Sequence, residues 1–204
     1  MSDTPRPPTG SRRPVIFVLL LFVAPLAAAF WLYYGSTWRP AQHTNHGTLI
    51  TPPVTLPEVL SSPQAADVSG TPIASASVLR GKWTLLVIGH GESGCDAPCR
   101  ETLVYARQTW LSLAQLTPRV QRVLLAGTGC CDAVYLKREH AGLIALDSSD
   151  PSAALLLQQV PEPTAGTIFV VDPLGNLMMR YDVRQDPKGL REDLKKLLEL
   201  SHIG

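Results

Sequence analysis

The chain has 204 residues, a formal net charge of +1, a hydrophobic fraction of 45% and a charged fraction of 17%. This length allows one ordinary domain with a short additional segment. The small net charge, with no basic cluster beyond the first residues, argues against nucleic acid as a partner. The composition is more apolar than a soluble domain needs, and the excess lies near the N-terminus.

The first predicted element is an apolar helix over residues 15–34, VIFVLLLFVAPLAAAFWLYY, which carries no charge. Twenty helical residues rise about 30 Å, the thickness of the hydrocarbon core of a bilayer. The aromatic residues that end the segment are typical of a membrane interface. A cleaved signal peptide, with Ala27–Ala29 as its small-residue site, is the alternative, but its apolar core is usually shorter. We therefore expect an uncleaved transmembrane helix.

The distribution of arginine predicts the orientation of this helix. Arg6, Arg12 and Arg13 precede it, whereas only Arg39 follows closely. Basic residues favour the cytoplasmic side, so residues 1–14 are expected in the cytoplasm and the rest of the chain across the membrane. The first residues also lack the Arg- and Ser-rich amphipathic pattern of a mitochondrial transit peptide. The expected location is the bacterial inner membrane, with a periplasmic C-terminal domain.

Residues 35–78 are rich in proline, serine and threonine and show no sustained hydrophobic period. Such a composition is typical of a tether followed by an extended lead-in. The compact domain is therefore expected over residues 79–204.

The domain is predicted to start with a strand at 83–89, WTLLVIG, whose continuous apolar run is typical of a strand buried on both faces. A helix over 98–116 and a second strand over 119–127 follow. Strand, helix and strand in this order predict a right-handed parallel crossover.

The remaining elements alternate in the same way. We predict, in chain order, a weak helix at 131–140, a strand at 142–147, a helix capped by Asp150, an antiparallel hairpin over 167–182 and a last helix opened by Asp186 and Pro187. With a cysteine pair after the first core strand, this is the order of a thioredoxin-like α/β domain, a central mixed sheet flanked by helices.

The stretch VIGHGESGCDAPCR, residues 87–100, places Cys95 and Cys99 four apart where the first strand gives way to a helix. Asp96 is expected to cap that helix through the amide of Cys99, which leaves Cys95 in the loop as the more accessible attacking thiol. Two thiolates in this arrangement suit a soft ion such as Cu(I) or thiol–disulfide exchange. A permanent disulfide that braces the turn is the structural alternative.

Three other residues are candidates for the same site. Cys130 and Cys131 follow the second strand, which runs parallel to the first, so their loop is expected at the same edge of the sheet. One of them is expected to reach the first pair as a resolving thiol or extra ligand, because a bridge between adjacent cysteines requires backbone strain. The alternative is two small loop residues. His90 is a candidate substitute ligand or a solvated loop histidine.

The other four histidines of the chain are expected to be solvated surface residues. His43 and His46 lie in the tether, and His140 and His202 lie near helix ends.

Together, the N-terminal anchor, the segment GKWTLLVIG leading to Cys95-x-x-x-Cys99, and the hairpin TIFVVDPLGNL resemble the Sco/SenC family. These are thioredoxin-like, membrane-anchored factors of cytochrome c oxidase assembly. The resemblance covers roughly residues 79–200. It implies that Cys95 and Cys99 bind copper or act as redox thiols.

The chain departs from the pattern of that family at several positions. Thr164 stands at the position of the third copper ligand, a histidine, and Gly166 stands where active thioredoxins have a cis-proline. Asp96 and Arg100 stand where the family has proline after each cysteine. The resemblance therefore identifies a divergent member.

Three functions follow as hypotheses. The first is a tethered Sco-like factor that delivers copper to, or reduces cysteines of, a respiratory oxidase or another copper or thiol protein. The second is an enzyme, a metal-independent thiol–disulfide oxidoreductase in which Cys95 attacks and Cys99 resolves. The third is a non-catalytic thioredoxin-fold scaffold.

Overall fold

The structure is a computed structural model that describes residues 12–35, 44–59, 66–73, 77–89, 96–127, 131–186 and 188–204. The chain divides into two compact units, residues 1–43 and 44–204. The first unit contains helix α1 (Arg13–Tyr34), which continues through Pro25 and has no buried residue. Among the described residues it is the one helix long and apolar enough to cross a membrane. The N-terminal apolar helix of the predicted fold is therefore present.

The second unit is built on a six-stranded mixed sheet, in the order β1-β6-β5-β2-β3-β4. The strands are β1 (Thr48–Thr55), β2 (Trp83–Ile88), β3 (Val120–Ala126), β4 (Leu143–Asp147), β5 (Thr167–Val171) and β6 (Asn176–Asp182). β2, β3 and β4 are parallel to one another, and β5, β6 and β1 are joined by antiparallel pairing. The predicted crossover and hairpin are both confirmed.

Helices cover both faces of this sheet. They are α2 (Ala97–Ser112), α3 (Ala133–Glu139), α4 (Pro151–Gln159) and α5 (Gly189–Leu200), with a 3-10 helix at Ala114–Arg119. Every residue of β2 is buried, as its continuous apolar run predicts. One apolar cluster joins α2 and α5 to the sheet through residues such as Leu103 and Leu194. A second cluster includes Leu156 of α4 and Phe169 of β5.

The sheet begins earlier in the chain than the predicted boundary at residue 79. Residues 48–55, which the composition assigned to an extended lead-in, form edge strand β1 paired with β6. Its register shifts between Leu49 and Val54, around two prolines. Proline is tolerated at an edge strand or a bulge because no ladder hydrogen bond is lost there.

Candidate cysteine site

The candidate site lies at the edge of the sheet where the parallel strands end. β2 and β3 pair in register from Trp83 and Val120 to Ile88 and Leu125, so their carboxyl ends meet at one edge. α2 follows β2 at this edge, and α3 follows β3. Ligand and active sites of open α/β sheets form at such edges.

Cys99 lies in the first turn of α2, where the sequence predicted it. The Cys99 amide donates to Asp96 Oδ1 at 2.8 Å, so Asp96 is the N-cap. The hydroxyl of Thr102, about one turn further along α2, donates a hydrogen bond to the carbonyl of Pro98. The Cys99 side chain is 3% exposed and packs with Leu103 and Ala106 in the core cluster. Cys99 is thus held rigidly under the surface of the site.

Cys131 lies between β3 and α3, directly before Asp132, the N-cap of α3. It is partly exposed and packs against the apolar cluster that contains Cys99. Cys131 is disulfide-bonded. The helix that follows is capped by Asp132, whose Oδ1 accepts from the amide of Val134 at 3.0 Å.

The other predicted members of the site, Cys95, His90 and Cys130, lie outside the described residues. Their roles remain predictions. Within the described ranges, no group of three histidine, cysteine or acidic residues is placed to hold a metal ion.

Thr164 and Gly166 have structural roles in the segment directly before β5. The hydroxyls of Thr164 and Thr167 are 2.7 Å apart and share a hydrogen bond. Gly166 has φ +88°, a conformation that L side chains rarely adopt. Thr164 lines a polar pocket with His46, Arg180 and others. A threonine hydroxyl is a poor ligand for a soft metal ion, so Thr164 does not replace the missing histidine.

His46 is fixed rather than simply solvated. It is partly exposed, and its two ring nitrogens contact Asp186 at 3.1 Å and Glu192 at 3.2 Å. The Asp186 carboxylate also accepts the amide of Gly189, the largest of the interactions that lower its pKa. His46 therefore ties the start of the second unit to the beginning of α5.

The expectation that His140 is a solvated surface residue is wrong, because its side chain is completely buried. Its Nε2 lies 3.2 Å from the Tyr135 hydroxyl. Arg122 is buried beside it, with its guanidinium carbon 4.7 Å from the centroid of the Trp110 ring. Burial, and then the charge of Arg122, lower the pKa of His140 to about 4. Arg122, which is buried within β3 (VQRVLLA), was the feature of the sequence that could have indicated a buried polar contact.

The sequence of the second unit matches a known family. Residues 83–201 match the family described as "Transmembrane-like, thioredoxin-like, C-terminal domain", which is more than half of the chain. The chain belongs to this family. A comparison with curated proteins gave no match.

Solved structures share the fold of this transmembrane-like, thioredoxin-like protein at low sequence identity. Yeast Sco1 is 15% identical with a TM-score of 0.56, over 74% of this chain and 98% of that one. Yeast Sco1 with copper bound is 14% identical with a TM-score of 0.51, over 80% and 96%. A putative thioredoxin from Neisseria meningitidis is 18% identical with a TM-score of 0.51, over 73% and 93%. The resemblance to Sco proteins is therefore confirmed at the level of the fold.

Proposed function

We propose that this protein is a membrane-tethered, Sco-like assembly factor that uses Cys95 and Cys99 to bind Cu(I) or to exchange disulfides. Its client would be a subunit of cytochrome c oxidase, or another copper or thiol protein, outside the cytoplasm. The observation that carries the proposal is the position of Cys99, which the Asp96 cap holds in the first turn of α2 at the edge where the parallel strands of a thioredoxin-like sheet end.

The chemistry follows from the position of Cys99. A sulfur ligand favours a soft ion such as Cu(I) over the hard ions that prefer oxygen. The Asp96 cap fixes the backbone of Cys99, so Cys99 is preorganised for a second ligand from the preceding loop. Cys95 is the sequence neighbour able to supply it, and copper bound by yeast Sco1 is the precedent for this cargo.

A membrane anchor suits delivery to a membrane-bound client. Tethering converts an encounter in solution into one at high effective concentration, which raises occupancy without any new contact. We propose that α1 is this anchor, with residues 1–14 in the cytoplasm and the domain in the bacterial periplasm.

Titration of the reduced full chain with Cu(I) in detergent micelles tests this function. We expect one Cu(I) per chain, competed away only by a strong chelator. Binding should be lost in Cys95→Ser and in Cys99→Ser, because one remaining sulfur is a poor site. His202→Gln, at an exposed position away from the cysteines, is the control and should bind as the unmodified chain does. Equal binding by Cys99→Ser and the control would contradict the proposal.

The disulfide at Cys131 favours a second candidate, a metal-independent thiol–disulfide oxidoreductase. Thr164, which stands at the position of the third copper ligand of the Sco/SenC family, also favours this metal-independent candidate. In that case the reduced chain would bind no Cu(I), yet it would reduce a disulfide substrate with a rate that depends on Cys95. Insulin reduction with a dithiol donor measures this activity.

A further inference from the structure

An exposed stripe of alternating basic and apolar residues runs along α2. It consists of Arg100, Val104, Arg107 and Leu111, which recur at the spacing of one face of a helix. Both arginines are exposed, Val104 is 40% exposed and Leu111 is 54% exposed. A different face of α2 packs into the core cluster. The basic stripe, as we call these four residues, is therefore a second apolar surface of this helix, and it faces solvent.

The arginines of the basic stripe have no acidic partner in the described part of the chain. None of the ion pairs between described residues involves Arg100 or Arg107. The guanidinium carbon of Arg100 instead lies 5.2 Å from the centroid of the Tyr135 ring of α3. Glu101, the acidic residue of α2, lies about 100° around the helix from Arg100. No carboxylate of α2 is thus placed on the basic stripe.

A buried arginine adds positive charge beneath the basic stripe. Arg122 is 1% exposed, and its Nε and Nη1 have no hydrogen-bond partner among the described residues. Its guanidinium lies over Trp110 of α2. Burial, and then the charge of Arg107, lower the pKa of Arg122 to about 10, and Asp67 acts in the opposite direction to a smaller extent. Arg122 therefore stays charged at neutral pH, and this charge lies close to Arg107.

Helix α3 lies beside α2, as the contact of its first turn with α2 shows. Its exposed residues are of the same kind as the basic stripe: Val134 is 69% exposed, and Lys137 and Arg138 are exposed. The ion pair of Arg138 with Glu139 is exposed and contributes little. Residues 133–139 thus carry two basic side chains against one acidic side chain, which adds to the positive charge beside α2.

The spacing of the basic stripe favours a helical partner. Its four residues span about 17 Å of helix, or three turns. An inorganic anion would contact the arginines and leave Val104 and Leu111 uncovered. Helices that bind a membrane surface turn a wide apolar face to the lipid, whereas the wide apolar face of α2 is in the core. Docked helices present anchors at a spacing of three to four residues, which matches the basic stripe.

We propose that the basic stripe docks an acidic amphipathic helix of a partner protein. Its carboxylates would bind Arg100 and Arg107, and its apolar side chains would cover Val104 and Leu111. The stripe begins directly after Cys99, so the bound helix has one end at the edge of the sheet with the candidate site. That this partner is the client rests on the proposed function, whereas the docking rests on the charge and exposure of α2.

Fluorescence anisotropy with a synthetic peptide tests the docking. The probe is a fluorescein-labelled helical peptide of about 18 residues, with Glu, Leu, Glu and Leu at the spacing of the basic stripe and alanine and glutamine elsewhere. It is titrated with the full chain in micelles of a non-ionic detergent. We expect saturable binding that weakens roughly tenfold between about 0.05 M and 0.5 M NaCl, because salt screens exposed charges. No saturable binding by the unmodified chain overturns the inference.

Charge reversal identifies the surface that binds the peptide. Arg100→Glu combined with Arg107→Glu should weaken binding roughly tenfold or more. The same variant should bind a peptide with Lys in place of Glu, which also shows that the variant is folded. Lys195→Glu combined with Lys196→Glu on α5 is the matched control and should bind as the unmodified chain does. Equal losses in the two double variants, or no binding of the Lys peptide, overturn the inference.

The apolar part of the contact and a lipid ligand are tested separately. Leu111→Gln should weaken binding roughly fivefold, since it removes apolar area from the contact, and an unchanged affinity contradicts an amphipathic partner. Without peptide, the amides of residues 100–111 should exchange equally in nanodiscs of phosphatidylcholine and of phosphatidylglycerol. Slower exchange in phosphatidylglycerol would mean that the basic stripe binds lipid headgroups, and the inference would be wrong.

Copper binding separates this inference from the proposed function. If the peptide binds but the reduced chain binds no Cu(I), the proposed copper function fails while the docking surface stands. If the reduced chain binds Cu(I) but not the peptide, the docking surface is wrong while the copper function stands.

Discussion

At the scale of single residues, Asp96 connects the sequence to the site. Its carboxylate accepts the amide of Cys99, a contact that the spacing of the two residues predicted. We expect Asp96→Ala to lower the free energy of unfolding by about 1 kcal/mol, as for other N-caps. Asp96→Asn should change it by less than about half of that, since asparagine also caps helices. Urea unfolding of the full chain in detergent measures both, and equal losses would argue against the cap.

His140 predicts a dependence of stability on pH. Its pKa is about 4 in the folded protein and about 6.5 when unfolded. The unfolded chain thus binds the proton first as pH falls, and stability is lost between pH 6.5 and 4. The loss at pH 4 is about 3 kcal/mol.

Urea unfolding at several pH values measures this loss. The wild-type chain should lose about 3 kcal/mol more than His140→Gln, and His202→Gln, an exposed control, should behave as the wild type. Parallel curves for the wild type and His140→Gln would rule out a buried neutral His140.

Prediction of single contacts from the sequence succeeded where the two residues are close together in the chain. The bond from Cys99 to Asp96 spans three positions, so the chain itself brings the groups together. The prediction that His140 is a solvated surface residue was wrong because the burial of His140 depends on distant residues, among them Arg122 on β3. Nothing in the neighbouring sequence shows that a loop histidine is covered by the rest of the fold.

At the scale of elements, Asp193 of α5 joins three segments. Its Oδ2 accepts the amides of His46 and Gly47 and the hydroxyl of Tyr181. Asp193 is 5% exposed, so these donors satisfy a buried charge. Burial, and then the bond to Asp193, raise the pKa of Tyr181 well above its ordinary value.

We expect Tyr181→Phe to lower the free energy of unfolding by about 2 kcal/mol, because the bond is to a charged group. Asp193→Ala should lower the free energy of unfolding further, since it leaves three donors without their acceptor, two of them in buried bonds. Tyr105→Phe on α2 is the matched control, expected to change stability by less than about 0.5 kcal/mol. Similar values for Tyr181→Phe and the control in urea unfolding would refute this assignment.

Among the elements, the sequence predicted the parallel crossover and the hairpin because each has a clear hydrophobic pattern bounded by turns. Strand β1 was missed because TLITPPVT has neither alternation nor a continuous apolar run. Its pairing with β6 joins residues far apart in the chain. Such pairing depends on which edge of the sheet is open, and a local pattern does not carry that information.

For the molecule as a whole, the arginines before and at the start of α1 predict the topology. We expect alkaline phosphatase fused after residue 204 to be active in bacterial cells, because that enzyme requires the periplasm. Replacing Arg6, Arg12 and Arg13 with glutamate should reduce this activity by removing the basic bias. The matched control replaces three C-terminal basic residues, Lys188, Lys195 and Lys196. Activity unchanged by the N-terminal replacements would contradict the predicted orientation.

The central claim is that the edge of the sheet at the start of α2 binds Cu(I) through the sulfur of Cys99. X-ray absorption at the copper edge, on the reduced and copper-loaded full chain, tests it most directly. We expect a copper spectrum dominated by two sulfur neighbours, and loss of copper from Cys99→Ser. A spectrum dominated by nitrogen or oxygen, or one unchanged in Cys99→Ser, would contradict it.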